Sequence, residues 1–185
     1  ANRISFCHDL KGPSVVIDTA CSASLVAVDF ARRFTDGDAV VLGTHAILSP
    51  DMYIHASKAQ MLSRAGRCAT FDQSAEGFVR GEGVAAAYLA ALFDDFTDDA
   101  HQDLREADLL GTATNQNGRS TGLTKPRCEA QVAVIQTGLL AAAATGCEIL
   151  VHEVHGTGTR LGDPLEMEAV KRTFGEEILL EALKT

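Results

Sequence analysis

The chain has 185 residues, 46% of them apolar and 22% charged, and 25 acidic against 16 basic side chains give a formal charge of −9. This composition predicts one folded domain of ordinary size and excludes a largely disordered chain. The acidic balance argues against a nucleic-acid binder, and the longest apolar run has ten residues, whereas a membrane span needs about 20.

The five cysteines are widely spaced, odd in number and contain no Cys-x-x-Cys pair. This pattern is typical of reduced thiols in a reducing compartment, which predicts a cytoplasmic protein, and it fits neither a disulfide framework nor a zinc site. The six histidines are scattered as well. We therefore expect no metal.

Short β-branched runs alternate with helical stretches along the chain, which predicts an α/β fold. Residues 14–18 predict a buried strand, and residues 21–33 predict a helix that is apolar on all sides and therefore buried. Residues 39–43 predict a second strand. Residues 84–92 permit a strand or a helix, and the strand is favoured.

Seven acidic residues fall within 94–108. No glycine turn organises their carboxylates, so a solvated connection fits better than a metal site. The connection divides the chain into residues 1–93, 94–108 and 109–185.

The second half repeats the alternation of strands and helices. Residues 107–114 and 149–154 predict strands, and residues 129–144 predict an amphipathic helix with Val132, Ile135, Leu139 and Ala142 on one face. A further helix is predicted to start at Asp163 as N-cap, with Pro164 at its first position and Glu166 three residues on. Its inward face is predicted to consist of Met167, Val170 and Phe174.

Cys21 lies between the predicted strand 14–18 and the helix that follows. Backbone N–H groups converge at a helix start, where the dipole favours a thiolate and the donors can hold an oxyanion. A nucleophile elbow has this arrangement. The alternative is a small buried hydrophobic residue, and placement alone leaves both open.

A second polar turn follows the predicted strand 149–154. It places His155 before two Gly-Thr pairs, which offers an imidazole on a backbone that can approach a ligand closely, with the hydroxyls of Thr157 and Thr159 beside it. The turn lacks the Gly-x-Gly-x-x-Gly phosphate fingerprint. A turn with a purely structural histidine remains the alternative.

Together these turns, residues 18–25 and 153–159, resemble the signatures of β-ketoacyl synthase domains, and residues 162–166 continue the resemblance. The chain is most similar to the ketosynthase domains of modular, type I polyketide synthases. Further similar segments lie at residues 12–14, 66–72, 76–83, 115–120 and 122–124.

This resemblance implies a thiolase-like fold of two similar αβα-layered halves, usually paired as a homodimer. It also implies an acyltransferase that performs a decarboxylative Claisen condensation in polyketide or fatty acid biosynthesis. Cys21 would take an acyl group from a thioester, and a malonyl-type extender on acyl carrier protein would lose carbon dioxide and attack it.

The resemblance also implies the roles of the other site residues. His155 would hydrogen-bond the extender carbonyl as it becomes an enolate, Thr157 and Thr159 would contact the phosphopantetheine arm, and Glu166 would be a structural acid near the site. No cofactor would be bound directly, because the arm arrives on acyl carrier protein.

The family also has a second catalytic histidine, a lysine and a glycine-rich loop in later segments, which have no counterpart in these 185 residues. We therefore expect a partial sequence that is inactive in isolation and that exposes apolar surface.

Two other functions remain open. A Cys/His thioester hydrolase needs only a thiolate and an imidazole, although the sequence singles out no Asp or Asn to orient His155. A non-catalytic dimerisation or docking module is supported by the segment between Cys21 and Ser49, which is about one helical turn shorter than the family pattern. The retained Cys21 and His155 argue against it. A related enzyme, thiolase proper, is less favoured than a ketosynthase, because the loop that begins at His155 resembles that of ketosynthases.

Overall fold

The structure is a computed structural model that describes residues 2–34, 37–91 and 105–184. The chain forms two compact units, one of Ala1–His45 with Gly83–Leu109 and the other of Ala46–Glu82 with Leu110–Thr185. The first unit carries Cys21, and the second carries the other candidate site residues.

The described residues of the first unit form two helices and an antiparallel pair of strands. In chain order these are α1 (Asn2–Cys7), a 3₁₀ turn (Ala20–Ser22), α2 (Ala23–Phe34), β1 (Ala39–His45) and β2 (Gly83–Leu89). Ala39 pairs with Leu89 and His45 pairs with Gly83. The strands predicted at 39–43 and 84–92 are therefore confirmed, although β2 ends at Leu89.

Helix α2 confirms the helix predicted at 21–33, but the prediction that it is buried on all sides is wrong. Only Asp29 and Ala31 are buried in it, whereas Leu25 and Phe34 are 76% and 64% exposed. Arg33 pairs with the carboxylate of Asp29 one turn earlier, at 2.9 Å. Within this unit the helix is covered by β1 along one side, which leaves its other apolar residues open.

The strand predicted at residues 14–18 is wrong. The segment has no regular secondary structure, and Val15 and Val16 are 52% and 78% exposed. A β-branched run becomes a strand only when a neighbour completes its hydrogen bonds. Among the described residues, none pairs with this segment.

The described residues of the second unit form three helices and a short parallel pair of strands. Its elements are α3 (Asp51–Lys58), α4 (Cys128–Ala141), a 3₁₀ turn (Gly146–Glu148), β3 (Val151–Glu153), α5 (Gly162–Phe174) and β4 (Leu179–Glu181). Helix α5 is the crossover between parallel strands β3 and β4, which pair Val151 with Leu179. Val154, Ala169 and Val170 are at most 2% exposed and form the centre of this core.

Most predictions for the second half are confirmed. Helix α4 lies within one residue of its predicted start and ends three residues early, with its predicted apolar face half-buried. The strand predicted at 149–154 shortens to β3, because β4 offers it only three partners. Along α5 the predicted inward face is confirmed, with Met167 and Phe174 half-buried and Val170 buried.

The strand predicted at 107–114 is wrong, because among the described residues no strand pairs with this segment. A Cβ added to Gly111 would lie 2.6 Å from the backbone nitrogen of Ala142 and 2.7 Å from the carbonyl oxygen of Gly138. Gly111 therefore lies against the end of α4 at backbone distance.

The acidic segment 94–108 lies mainly outside the described residues, which resume at Arg105. Arg105 and Asp108 form an exposed ion pair. None of the helices within the described ranges is long and apolar enough to cross a membrane.

The expected exposure of apolar surface is confirmed. Exposed apolar side chains occur in both units, and those at least 80% exposed are Phe6, Leu48, Leu123, Leu140, Leu150 and Leu183.

The His152 ring on β3 packs against the Phe174 ring of α5, with centroids 5.1 Å apart. Burial lowers the pKa of His152, and the nearby Glu166 opposes that shift in part. A histidine whose pKa is lowered in the folded state stabilises the protein above its unfolded pKa, about 6.5, and loses that contribution as the pH falls.

We therefore expect His152→Gln to flatten the loss of stability between pH 7.5 and pH 5. Urea unfolding across this range should show the wild type losing more free energy of unfolding than the variant. His8→Gln, at an exposed histidine just after α1, controls for removing a histidine. Parallel pH profiles for the wild type and His152→Gln would contradict the prediction.

Candidate active site

Cys21 lies in the 3₁₀ turn that leads into α2, and its thiol is exposed. The residue before it, Ala20, has a φ of 57°, a left-handed conformation that is costly for a residue with a Cβ. Its N–H donates to the carboxylate of Asp18 at 3.1 Å. The predicted placement of Cys21 at a helix start is confirmed, and its exposure does not fit a buried hydrophobic residue.

Hydroxyl groups on both sides of Cys21 support this turn. The Ser22 hydroxyl donates to the carbonyl of Thr19 at 2.9 Å, and the two side-chain oxygens are 2.8 Å apart. In the first turn of α2, the Cβ of Ser24 would lie 3.4 Å from a Cβ added to Gly43 of β1. These contacts fix the start of α2 against β1.

The loop from His155 to Thr159 is the second candidate feature, and the carboxylate of Glu166 holds its beginning. One oxygen of Glu166 accepts the N–H of His155 at 2.5 Å, and the other accepts the N–H of Gly156 at 2.9 Å. Hydrogen bonds to a charged carboxylate are stronger than neutral ones. They fix the backbone while the His155 residue itself stays exposed.

Asp163 holds the end of the same loop. Its oxygens accept the N–H of Thr159 at 3.1 Å and the N–H of Phe71 at 2.9 Å. The predicted N-cap role of Asp163 is therefore wrong. Helix α5 begins at Gly162, so Asp163 lies in its first turn and its buried carboxylate bonds to the loop. Its charge still lies at the helix end that favours anions.

Two glycines allow the loop to pack closely on residues 68–70. Gly156 and Gly158 have φ values of 52° and 67°. A Cβ added to Gly158 would lie 1.5 Å from the carbonyl oxygen of Cys68, and one on Gly156 would lie 2.7 Å from the methyl carbon of Thr70. Only glycine fits at Gly158.

The loop ends with two threonines whose hydroxyl oxygens are 3.2 Å apart. The hydroxyl oxygen of Thr159 also accepts the N–H of Gly162 at 3.1 Å, so Thr159 caps the first residue of α5 from the preceding turn. Both threonines are half-buried. The pair can donate to or accept from a polar chain.

The second unit thus brings together four of the five predicted site residues, His155, Thr157, Thr159 and Glu166, while Cys21 lies in the first unit. Sequence reasoning missed the part played by Asp163 and Thr70. The spacing of three between Asp163 and Glu166 places both on one side of a helix and could have indicated a shared role. No local signal pointed to Thr70. In the described ranges, no group of three or more His, Cys, Asp or Glu side chains could hold a metal ion.

Comparison with known families identifies the chain. The family model "Beta-ketoacyl synthase, N-terminal domain" matches residues 1–94, and "Beta-ketoacyl synthase, C-terminal domain" matches residues 106–185. The chain therefore belongs to the β-ketoacyl synthase family.

Its relatives include large polyketide synthases. Over 194 residues and 100% of the chain it is 42% identical to a phenolphthiocerol/phthiocerol polyketide synthase of Mycobacterium tuberculosis. Over 94% of the chain it is 42% identical to a highly reducing polyketide synthase of Didymella fabae. The chain spans 9% of the length of each.

Solved ketosynthases have the same fold. The "Ketosynthase from module 6 of the bacillaene synthase from Bacillus subtilis 168" matches 100% of the chain with a TM-score of 0.88 at 34% identity. An oxazolomycin ketosynthase domain from Streptomyces albus JA3453 matches with a TM-score of 0.88 at 33% identity. The chain covers 34% and 33% of these structures. The prediction of an incomplete thiolase-like fold is therefore confirmed.

The close packing of Gly158 yields a stability prediction. Gly158→Ala should lower the free energy of unfolding by about 3 kcal/mol, because it combines an overpacked contact with a strained backbone. Gly118→Ala is the matched control, since Gly118 has a φ of 61° and nothing within 4 Å of an added Cβ. It should cost only about 1 kcal/mol, the conformational term alone. Chemical denaturation measures both, and equal losses would contradict the close contact.

Proposed function

We propose that this chain supplies the nucleophile and one catalytic histidine of a ketosynthase that performs decarboxylative Claisen condensation in polyketide biosynthesis. The observation that carries the proposal is the loop from His155 to Thr159. Glu166 and Asp163 hold it at both ends, so an imidazole and two hydroxyls lie on one fixed segment. The membership of this chain in the β-ketoacyl synthase family supports the same reaction.

The first step is transfer of an acyl group to Cys21. The thiolate attacks the thioester carbonyl, and a tetrahedral oxyanion forms. Its collapse expels the carrier thiolate, which takes up the proton that the Cys21 thiol released on ionising. The start of α2 favours both the thiolate and the oxyanion, because the positive end of the helix dipole lies there. Exposure of the thiol gives a carrier-bound substrate access to it.

The second step forms the carbon–carbon bond. A malonyl-type extender loses carbon dioxide, and the electron pair of the broken bond becomes an enolate. His155 donates a hydrogen bond to the thioester oxygen on which that charge develops, an interaction that strengthens along the reaction path. The enolate carbon attacks the acyl carbonyl, and Cys21 leaves as thiolate.

Thr157 and Thr159 are the proposed contacts for the phosphopantetheine arm. The arm carries amide and hydroxyl groups, which hydroxyl side chains can bond as donors or acceptors. Glu166 acts through the backbone it holds, since its two oxygens are occupied by the N–H groups of His155 and Gly156. No directly bound cofactor is needed.

The proposed partners are acyl carrier protein, acyl and malonyl-type thioesters, and a second copy in a homodimer. Exposed apolar side chains such as Val16 and Leu123, at 78% and 104%, support burial against further protein surface. The division at residues 94–108 stays a prediction, as does a cytoplasmic location.

The role of Cys21 can be tested by acylation. The full polypeptide that carries this chain is incubated with an acyl thioester, and mass spectrometry maps the adduct. We expect the adduct on Cys21, its loss in Cys21→Ala, and its retention in Cys147→Ala, which removes a different exposed thiol.

His155 is tested in the same assay with a carrier-bound malonyl extender. His155→Ala should keep the adduct on Cys21 but slow condensation at least about 100-fold, as expected for loss of an oxyanion donor. An adduct that persists in Cys21→Ala would contradict the proposal. Release of free acid without a carbon–carbon bond would indicate a thioester hydrolase.

A further inference from the structure

Residues 68–71 form a strained segment beside the loop from His155 to Thr159. Ala69 and Phe71 have φ values of 50° and 57°, so two residues with side chains adopt left-handed conformations on either side of Thr70. Such strain persists only where the surrounding structure fixes it. Here the carboxylate of Asp163 accepts the N–H of Phe71 at 2.9 Å, and Cys68 is buried against Gly158.

Thr70 is the residue that this segment presents to the loop. Its hydroxyl donates to the carbonyl oxygen of Gly156 at 2.6 Å. Its methyl carbon fills the space where a Cβ on Gly156 would lie, 2.7 Å away. Both polar and apolar parts of the side chain therefore contact one glycine.

The bond to Gly156 fixes more than one atom. A peptide unit is planar, so holding the carbonyl of Gly156 fixes the plane of the peptide that joins it to Thr157. Glu166 holds the N–H of Gly156 from the other side. The direction in which the Thr157 side chain leaves the backbone is thereby set by Thr70 and Glu166 together.

We propose that Thr70 is a positioning residue, whose hydroxyl orients the peptide between Gly156 and Thr157 and so aims Thr157 at the phosphopantetheine arm of the extender. This inference rests on the proposed function. It assigns to Thr70 a part in binding the carrier arm and none in acylation of Cys21 by a thioester that lacks the arm.

The experiment compares Thr70→Val, which keeps the shape and removes the hydroxyl, with Thr70→Ser, which keeps the hydroxyl. Condensation is measured in the full polypeptide with carrier-bound malonyl extender. Thr70→Val should raise KM for this extender about tenfold, the loss expected for one hydrogen bond to a fixed group. Its kcat and the rate of Cys21 acylation by a short acyl thioester without the arm should stay within about twofold of the wild type, and Thr70→Ser should keep the wild-type KM.

A short malonyl thioester that lacks most of the arm separates positioning from general damage. With this substrate Thr70→Val and the wild type should agree within about twofold, because the contact with Thr157 is absent. Thr137→Val is the matched control, since its hydroxyl bonds the carbonyl of Ala133 at 2.8 Å within α4. It should leave both KM values unchanged.

The inference is overturned if Thr70→Ser loses as much as Thr70→Val, or if the long and short extenders are affected equally. If circular dichroism shows that Thr70→Val is unfolded, Thr70→Ala is compared with Thr70→Ser in its place. If both the Val and the Ala variants are unfolded, the hydroxyl has a structural role and the inference is overturned. Absence of product from the wild type overturns the proposed function together with this inference. Product with an unchanged KM in Thr70→Val overturns the inference alone.

Discussion

The second unit depends on two carboxylates that lie three residues apart on α5. Glu166 and Asp163 accept four backbone N–H groups, those of His155, Gly156, Thr159 and Phe71. A loop with so little regular structure would otherwise leave donors without partners near a buried core, at a cost of about 1–3 kcal/mol each. The helix thus replaces the ladder that a strand would have provided, and it leaves the side chains of the loop available.

Close packing complements these hydrogen bonds. Gly158 lies against the carbonyl of Cys68 and Gly156 against Thr70, so the loop and residues 68–71 contact each other at backbone distance. The Gly77 N–H donates to the carbonyl of Gly158 at 2.9 Å and adds a third attachment. A segment fixed in this way loses little further entropy when a ligand binds, which is the advantage of a preorganised site.

Local patterns in the sequence predicted the features whose stability is local. Helix α4 follows from apolar spacing, α2 from its many apolar residues, and α5 from the helix start around Pro164. The turns at Cys21 and His155 follow from glycines, hydroxyls and a helix start. The strands at 14–18 and 107–114 were wrong because a strand needs a partner, which a short sequence window does not contain. Asp163 was misassigned for the same reason, since one of its partners, Phe71, is 92 residues away in the chain.

Asp163 and Glu166 hold separate ends of one loop, and amide hydrogen exchange can measure the contribution of each carboxylate. In Asp163→Ala both acceptor oxygens are lost, so the amides of Thr159 and Phe71 should exchange at least about tenfold faster. The amides of His155 and Gly156, which bond Glu166, should stay within about twofold of the wild type. Equal acceleration at all four amides, or no change at Thr159 and Phe71, would contradict the account.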